Sequence, residues 1–287
     1  MNTLHLKSKE NYYTTINDIN VLVDFTNERL KIIDYQTISI NAIINIVNFA
    51  RENEIGKVIS NCRIRLLEPF RTFGFKIEGI INGFFDGEDA YCVSLFLDKK
   101  RELSLQKEEE DAILHQCVIE NKRPSIVKNN KYIIRNAETS DIPQMIRLFS
   151  SVFETYPSPV FNGDYLQNVM NEQILFKVAV EDDNIISIAS ADMDKNNLNA
   201  EITDCATYSE HRGKGILPNL IQHLEEDLRQ KGFRTLYSLS RAINPGINRS
   251  LSKLEYRYCG RLVNNCHICG SFEDMNIWVK KLKKVDV

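Results

Sequence analysis

Between Leu175 and Leu228 the chain offers three β-type runs, Leu175–Glu181, Ile185–Ala191 and Ala200–Thr207, separated only by Asp182-Asp183-Asn184 and Lys195-Asn196-Asn197. Strands joined by turns this short pair antiparallel, because a parallel return needs a dozen or more connecting residues. The third run leads through Ser209-Glu210-His211-Arg212-Gly213-Lys214-Gly215 into an amphipathic helix, with Leu217, Leu220, Ile221, Leu224 and Leu228 on one stripe and Gly232 as C-cap. A strand that delivers a glycine turn directly to a helix start leaves backbone N–H groups unpaired at the positive end of the helix dipole. Arg212-Gly213-Lys214-Gly215 therefore reads as a turn able to hold a diphosphate. It would act locally, because 36 basic against 39 acidic residues give a net charge of -3. That balance excludes the basic footprint of a nucleic-acid binder.

The elements around this block fall into a regular order. Tyr132–Arg135 is a short strand, and Glu138-Thr139-Ser140-Asp141 is an N-cap cluster opening a helix whose apolar positions are Ile142, Met145, Ile146, Leu148, Phe149 and Val152. A loop rich in proline and aromatics (Thr155–Phe161) precedes a helix over Asp164–Glu172. After the central helix come a strand (Thr235–Leu239), a helix (Gly246–Leu254) and two strands (Tyr258–Val263, Met275–Val279). The order β-α-α-β-β-β-α-β-α-β-β predicts an α/β (α+β) fold with a mixed, largely antiparallel sheet covered by helices. The polar stretch Asn121–Lys131, with Pro124, marks a boundary between residues 1–125 and 126–287. The acidic run Glu108–Asp111 reads as a solvated helix face.

Met1–Glu10 lacks the basic start and apolar run of a secretion signal, and no apolar stretch has the length of a membrane span. Seven scattered cysteines, an odd number, fit reduced thiols better than a disulfide framework. The expectation is a cytoplasmic protein without membrane or nucleic-acid partners. Cys266-His267-Ile268-Cys269 supplies only part of a zinc ligand set, and no metal is expected.

From Lys131 to about Leu282 the chain resembles the GNAT superfamily of acetyl-coenzyme A-dependent N-acetyltransferases, whose loop signature falls on Arg212, Gly215 and Leu217. Leu217 departs from it, being bulkier than the Gly or Ala found there in the family. The resemblance implies acetyl-CoA as co-substrate, with Arg212, Gly213, Lys214, Gly215 and Ile216 around its pyrophosphate. It also implies that Cys205, Ala206 and Thr207 pair with the pantetheine arm. Asn244 is a candidate for the same arm or, equally, a helix cap.

A narrower resemblance, to the β-lysine N6-acetyltransferases, rests on several segments: Glu154-Thr155-Tyr156-Pro157, Thr203-Asp204-Cys205-Ala206-Thr207, Ser240-Arg241-Ala242, Gly246-Ile247-Asn248, Tyr256-Arg257-Tyr258, Asn264-Asn265 and Met275-Asn276-Ile277-Trp278. It implies transfer of an acetyl group to the terminal amine of β-lysine, a product that serves as a compatible solute or belongs to lysine metabolism. Glu255 stands where this family has Gly. In the first half, Phe70–Gly79 and Gly83–Tyr91 are similar to the closing half of an acetyltransferase domain without its glycine loop, so a degenerate, truncated GNAT-like unit is expected there.

An ε-ammonium with pKa near 10.4 must lose its proton at neutral pH, at a cost of about 5 kcal/mol, so the chemistry needs a base or a water path. Asp204 is the favoured substrate-amine binder or base, and Glu201 could act through water. Alternation along a strand sets the two on opposite faces. The residue matching the family's thiolate-protonating tyrosine is Leu251, which leaves Tyr256 or Tyr258 as substitutes, or no acid at all. Tyr156, Arg241, Asn264 and Asn265 are candidates for holding the acceptor's carboxylate and second amine. Cys205 has no histidine in recognisable relation to it, which disfavours a covalent acyl-enzyme. Two alternatives stay open, another small amine or a protein lysine as acceptor, and a non-catalytic acyl-CoA-binding sensor. A homodimer is also open.

Overall fold

The computed structural model describes residues 10–119 and 131–283, so the boundary at 125 and nearly all of the Asn121–Lys131 stretch and of Met1–Glu10 lie outside the described residues. The first strands are β1 (Tyr12–Ile16), β2 (Ile19–Asp24) and β3 (Arg29–Ile33), an antiparallel meander. Helix α1 (Ile40–Glu52) follows, its first turn capped by the Ser39 hydroxyl, which accepts from the Ala42 N–H at 3.1 Å. Strand β4 (Lys57–Cys62) returns parallel to β3. Helix α2 (Leu67–Phe73) then leads to a hairpin, β5 (Lys76–Phe85) and β6 (Glu88–Phe96), whose second strand pairs with β4. Helix α3 (Lys107–Ile119) ends the first described segment.

After the break the expected order appears in full: β7 (Ile133–Asn136), α4 (Ile142–Val152), α5 (Gly163–Glu172), β8 (Ile174–Glu181), β9 (Asn184–Asp194), β10 (Asn199–Thr207), α6 (Ile216–Gln230), β11 (Thr235–Arg241), α7 (Pro245–Lys253), β12 (Arg257–Ile268) and β13 (Ser271–Lys281). The closing hairpin, and to a lesser degree β9 and β11, run longer than their apolar patterns suggest. Polar Asn264 and Asn265 sit at a register shift inside β12 rather than at its end.

All thirteen strands form one sheet, in the order β1-β2-β3-β4-β6-β5-β12-β13-β11-β10-β9-β8-β7. The order is nearly a palindrome. A three-strand meander, a helix, a parallel strand, a helix and a hairpin with its second strand inserted make up β1 to β6, and the same sequence of elements makes up β8 to β13. One face of the sheet carries α1 over Leu30, Ile32 and Val58. In the second half α6 covers Ala200, Ile202 and Leu236, and α4 covers Val178 and Ile188 on the opposite face.

The two halves meet where Gly79 of β5 pairs with Gly260 of β12. Neither tolerates a side chain. A Cβ on Gly79 would lie 2.6 Å from Ile277 Cδ1 and 2.7 Å from the Cys259 carbonyl, and one on Gly260, whose φ is +139°, would collide with the Glu78 carbonyl and Gly79 Cα. Beside this joint the fully buried Lys57 ammonium sits 2.8 Å from Glu78 and donates to the Val263 carbonyl at 2.7 Å, while Glu78 accepts from the Val263 N–H at 2.7 Å. Buried charges persist where they are paired and further hydrogen-bonded, as here.

One sequence expectation needs correction. The acidic run of α3 is not wholly solvated: Glu110 is buried and lies 3.3 Å from Arg261 of β12, with its carboxyl pushed up to about 7 by burial and by Asp274. Helix α3 also rests on the second half, where the Ser252 hydroxyl of α7 donates to the Cys117 carbonyl at 2.7 Å. Glu255, standing where the resembled family has Gly, takes a left-handed φ of +68°. Substituting Gly260→Ala should lower stability by about 2 to 4 kcal/mol through backbone strain and overpacking, read as a lower urea midpoint. A midpoint unchanged from wild type would refute the close-approach argument.

Candidate active site

The site begins with a parallel pairing that stops early. Strands β10 and β11 stay in register at Asn199↔Thr235, Ala200↔Leu236 and Glu201↔Tyr237 and then part. Strand β11 continues along β13 as far as Arg241↔Met275, while β10 continues along β9. The gap opens into a cavity of about 540 Å³, walled by Ile202 to Cys205 and Thr207 on one side and Ser238 to Arg241 on the other. Arg212, Gly213, Gly215 and Ile216 also line it, as do Asn244, Arg249 and Lys253 of the α7 segment.

Where β10 leaves its neighbour it also bulges. Its register against β9 shifts between Thr203 and Ala206, and Asp204 takes a left-handed φ of +44°. This bulge overturns the expectation that Glu201 and Asp204 face opposite ways. The extra residue turns Asp204 toward Ser190, whose hydroxyl donates to Oδ2 at 2.9 Å, and Ser190 is the register partner of Thr203, on the Glu201 face. Asp204 is 3% exposed, and its Oδ1 has no hydrogen-bond partner. Burial raises its carboxyl to about 6, against the pull of the Ser190 and Tyr156 hydroxyls. Glu201, hydrogen-bonded to Tyr237, is raised to about 7, first by burial.

The glycine turn keeps its donors open. Gly215, at φ +76°, precedes α6 with no side-chain cap, and a Cβ on Gly213 or Gly215 would meet nothing within 4 Å. The Arg212 guanidinium braces the turn by donating to the Thr207 carbonyl at 3.1 Å. Lys214 is exposed in the turn, and Leu217 lines the cavity beside Pro218. These features, with the basic Arg249 and Lys253, fit a phosphate-bearing ligand. Arg249 and Lys253 were not singled out in the sequence, although their i, i+4 spacing puts both on one face of α7.

The remaining candidates divide. Tyr156 and Arg241 line the cavity, but Arg241 is engaged by Glu273 through two contacts of 2.5 Å. Asn244 lines it too and also caps α7, accepting from the Gly246 N–H at 2.9 Å. Ala206 is buried beneath α4. Asn264 and Asn265 do not reach the cavity. Asn264 donates to the Arg101 and Leu103 carbonyls, and the Asn265 carbonyl accepts from Arg29, so both are used in joining β12 to the first half.

Tyr256 and Tyr258 are also elsewhere. Tyr256 is buried in the core under α6, against Glu225, and Tyr258 packs edge-on to Trp278 with ring centroids 6.0 Å apart. Leu251 is fully buried in that same core. Burial drives the Cys205 thiol well above its usual range, which removes the thiolate a covalent route would need. One residue that the sequence reading quoted only within Gly246-Ile247-Asn248, with no role of its own, holds the site together. Fully buried Asn248 of α7 accepts from Ser240, Asn276 and the Trp278 indole at 2.8 to 3.0 Å and donates to the Arg241 and Asn244 carbonyls.

The chain is similar to known acetyltransferases. The acetyltransferase (GNAT) family model matches residues 142–248. The chain is 37% identical over 254 residues to the beta-lysine N(6)-acetyltransferase of Methanosarcina mazei, covering 81% of this chain and 94% of that one. It is 28% identical to the beta-lysine N(6)-acetyltransferase of Methanococcus maripaludis, covering 92% and 97%. Among solved structures, an N-acetyltransferase from Staphylococcus aureus aligns with a TM-score of 0.47 at 20% identity, over 53% of this chain and 99% of that one.

The Asp204 environment has a thermodynamic signature. A carboxyl raised from 3.8 to about 6 binds its proton more tightly when folded, so its contribution is full below about pH 4 and lost as pH rises through 6. Ionised Asp204 then costs about 3 kcal/mol. Asp204→Asn should therefore be more stable than wild type at pH 8, with the gain shrinking toward pH 4 in paired denaturation curves. A pH-independent difference would refute the assignment.

Proposed function

The chain belongs to the GNAT acetyltransferase family, and from that premise we propose that it transfers an acetyl group from acetyl-CoA to the N6 amine of β-lysine by direct attack with both substrates bound. It is an acetyl-CoA-dependent N-acetyltransferase, and the acceptor follows the names of its relatives. The observation that carries the reading is a buried carboxylate with one unpartnered oxygen, Asp204, on the wall of a cavity that also takes in the Arg212–Gly215 turn.

Acetyl-CoA brings the reactive thioester. The turn from Arg212 to Ile216 holds its pyrophosphate with main-chain N–H groups, helped by Arg249 and Lys253 of α7, and the backbone of Cys205 to Thr207 takes the pantetheine arm. Asp204, ionised above about pH 6, accepts the proton of the acceptor ammonium. The freed amine attacks the acetyl carbonyl carbon, the C–S bond breaks, and the departing thiolate ends as the thiol by gaining the proton that the new amide nitrogen gives up. A thiol with pKa near 8.5 needs no strong acid to depart, which is consistent with Leu251 buried where relatives carry a tyrosine.

Residues 1–125 are read here as a worn, truncated GNAT-like unit and 126–287 as the catalytic domain. Support comes from the repeated element order on the two sides of the Gly79–Gly260 joint.

With β-lysine, lysine and ornithine offered in turn, free-thiol release should be fastest with β-lysine. Asp204→Asn should reduce turnover about 100-fold or more, the range expected on losing a general base, with little change in the acetyl-CoA KM. Acetyl-CoA binding without thiol release on any diamino acid would overturn the enzyme reading in favour of a sensor. Equal, modest losses in turnover and coenzyme binding would remove Asp204 as base.

A further inference from the structure

The sheet face opposite α1 and α6 brings charges from both halves together. In β3, Leu30 and Ile32 are buried under α1, so Arg29 and Lys31 project from the other side. Arg29 is committed: it donates to Asp24 at 2.8 Å and to the Asn265 carbonyl at 2.9 Å. Lys57, the next cation on this face, is committed to Glu78. Half-buried Lys31 is not, since it forms no ion pair among the described residues.

The groups facing Lys31 come largely from the catalytic half. Asp192, Glu201 and Tyr237 lie in one row across β9, β10 and β11, as direct register partners on a single face. The Lys31 ammonium acts on both carboxyls of that row, and also on Cys92 of β6. Directly opposed carboxylates repel each other. Neither Asp192 nor Glu201 has an ion-pair partner among the described residues, so two carboxyls, both raised above their ordinary range first by burial, stand beside a lysine that has no ion pair there either.

The row lies where β10 and β11 part, three residues before Asp204 and its unpartnered Oδ1. Three strand residues span about 10 Å. In an extended 3,6-diamino acid, the reacting amine and the carboxylate carbon are separated by about 7 to 8 Å, from ordinary bond lengths. With the reacting amine at Asp204, the other end of such an acceptor arrives at this row. That end carries one ammonium and one carboxylate, the complement of two carboxyls and a lysine.

We propose that Lys31 of the front unit binds the acceptor's carboxylate while Asp192 and Glu201 hold its second ammonium, so that the front unit selects an acceptor by length and charge pattern. The inference rests on the diamino-acid reading above and assigns the front unit a part in the site. A carboxylate–lysine contact is a charge-assisted hydrogen bond whose loss costs about 1.5 to 3 kcal/mol, or roughly a 10- to 150-fold change in an equilibrium constant.

The test compares wild type, Lys31→Met and Lys31→Arg on β-lysine and on 1,4-diaminopentane, which has the same amines without the carboxylate. Lys31→Met should raise the β-lysine KM about 10- to 150-fold, leave the acetyl-CoA KM unchanged and leave the 1,4-diaminopentane KM unchanged, while Lys31→Arg recovers part of the loss. An unshifted β-lysine KM, or an equal rise for both acceptors, overturns this inference while leaving the reaction standing. Absence of wild-type turnover on β-lysine overturns the reaction reading and this inference with it.

Discussion

At Gly79 and Gly260 two main chains approach too closely for either residue to carry a Cβ, and this contact is where the molecule becomes one sheet. On each side of it lies a half that could close only its own face. Joined there, and fastened by the buried Lys57–Glu78 pair with its bonds to Val263, the halves share a continuous surface. The apolar cluster on that surface draws Ile81, Ala90 and Cys92 from the first half and Leu262, Met275 and Ile277 from the second. The joint is therefore part of the site's architecture as well as of its stability.

The bulge at Asp204 links binding to reactivity through one backbone irregularity. The same few residues leave the β11 register, accommodate a left-handed non-glycine residue and turn a carboxylate away from solvent. Strained backbone and a desolvated charge each oppose folding. They persist because the surroundings over-determine them, with Ser190 on one side, Tyr156 on another, and Asn248 locking α7 to β11 and β13. A carboxyl near 6 is well placed for proton transfer at neutral pH, since it is mostly ionised yet more basic than an exposed aspartate.

The catalytic half was legible because its signals are local. Alternation, short turns, an N-cap cluster and a glycine turn each act over a few residues, and the expected element order matches the structure from β7 to β13. What was not legible depends on contacts distant in sequence. A bulge defeats face assignment by counting, so Glu201 and Asp204 came out on opposite sides. The Asn264 amide is taken up by the Arg101 and Leu103 carbonyls, the Asn265 amide donates to Cys266 Sγ, and Tyr256 is buried in the core under α6, none of which a spacing rule reveals. Asn248 passed as an ordinary helix residue because its bonds run to strands on either side of it in the chain.

The two halves repeat the same element order but treat the corresponding turn differently, and that difference divides their labour. Between β10 and α6 the chain supplies Gly213 and Gly215 and leaves the helix start uncapped. Between β3 and α1 it supplies Asp34-Tyr35-Gln36-Thr37-Ile38-Ser39, without glycine, and the Ser39 hydroxyl takes one of the N–H groups a phosphate would need. A capped helix start with no open turn before it lacks the unpaired donors that its counterpart offers to an anion. In the proposed reading the face that the first half's strands present to the shared surface carries Lys31, so a half without those donors serves to recognise the acceptor.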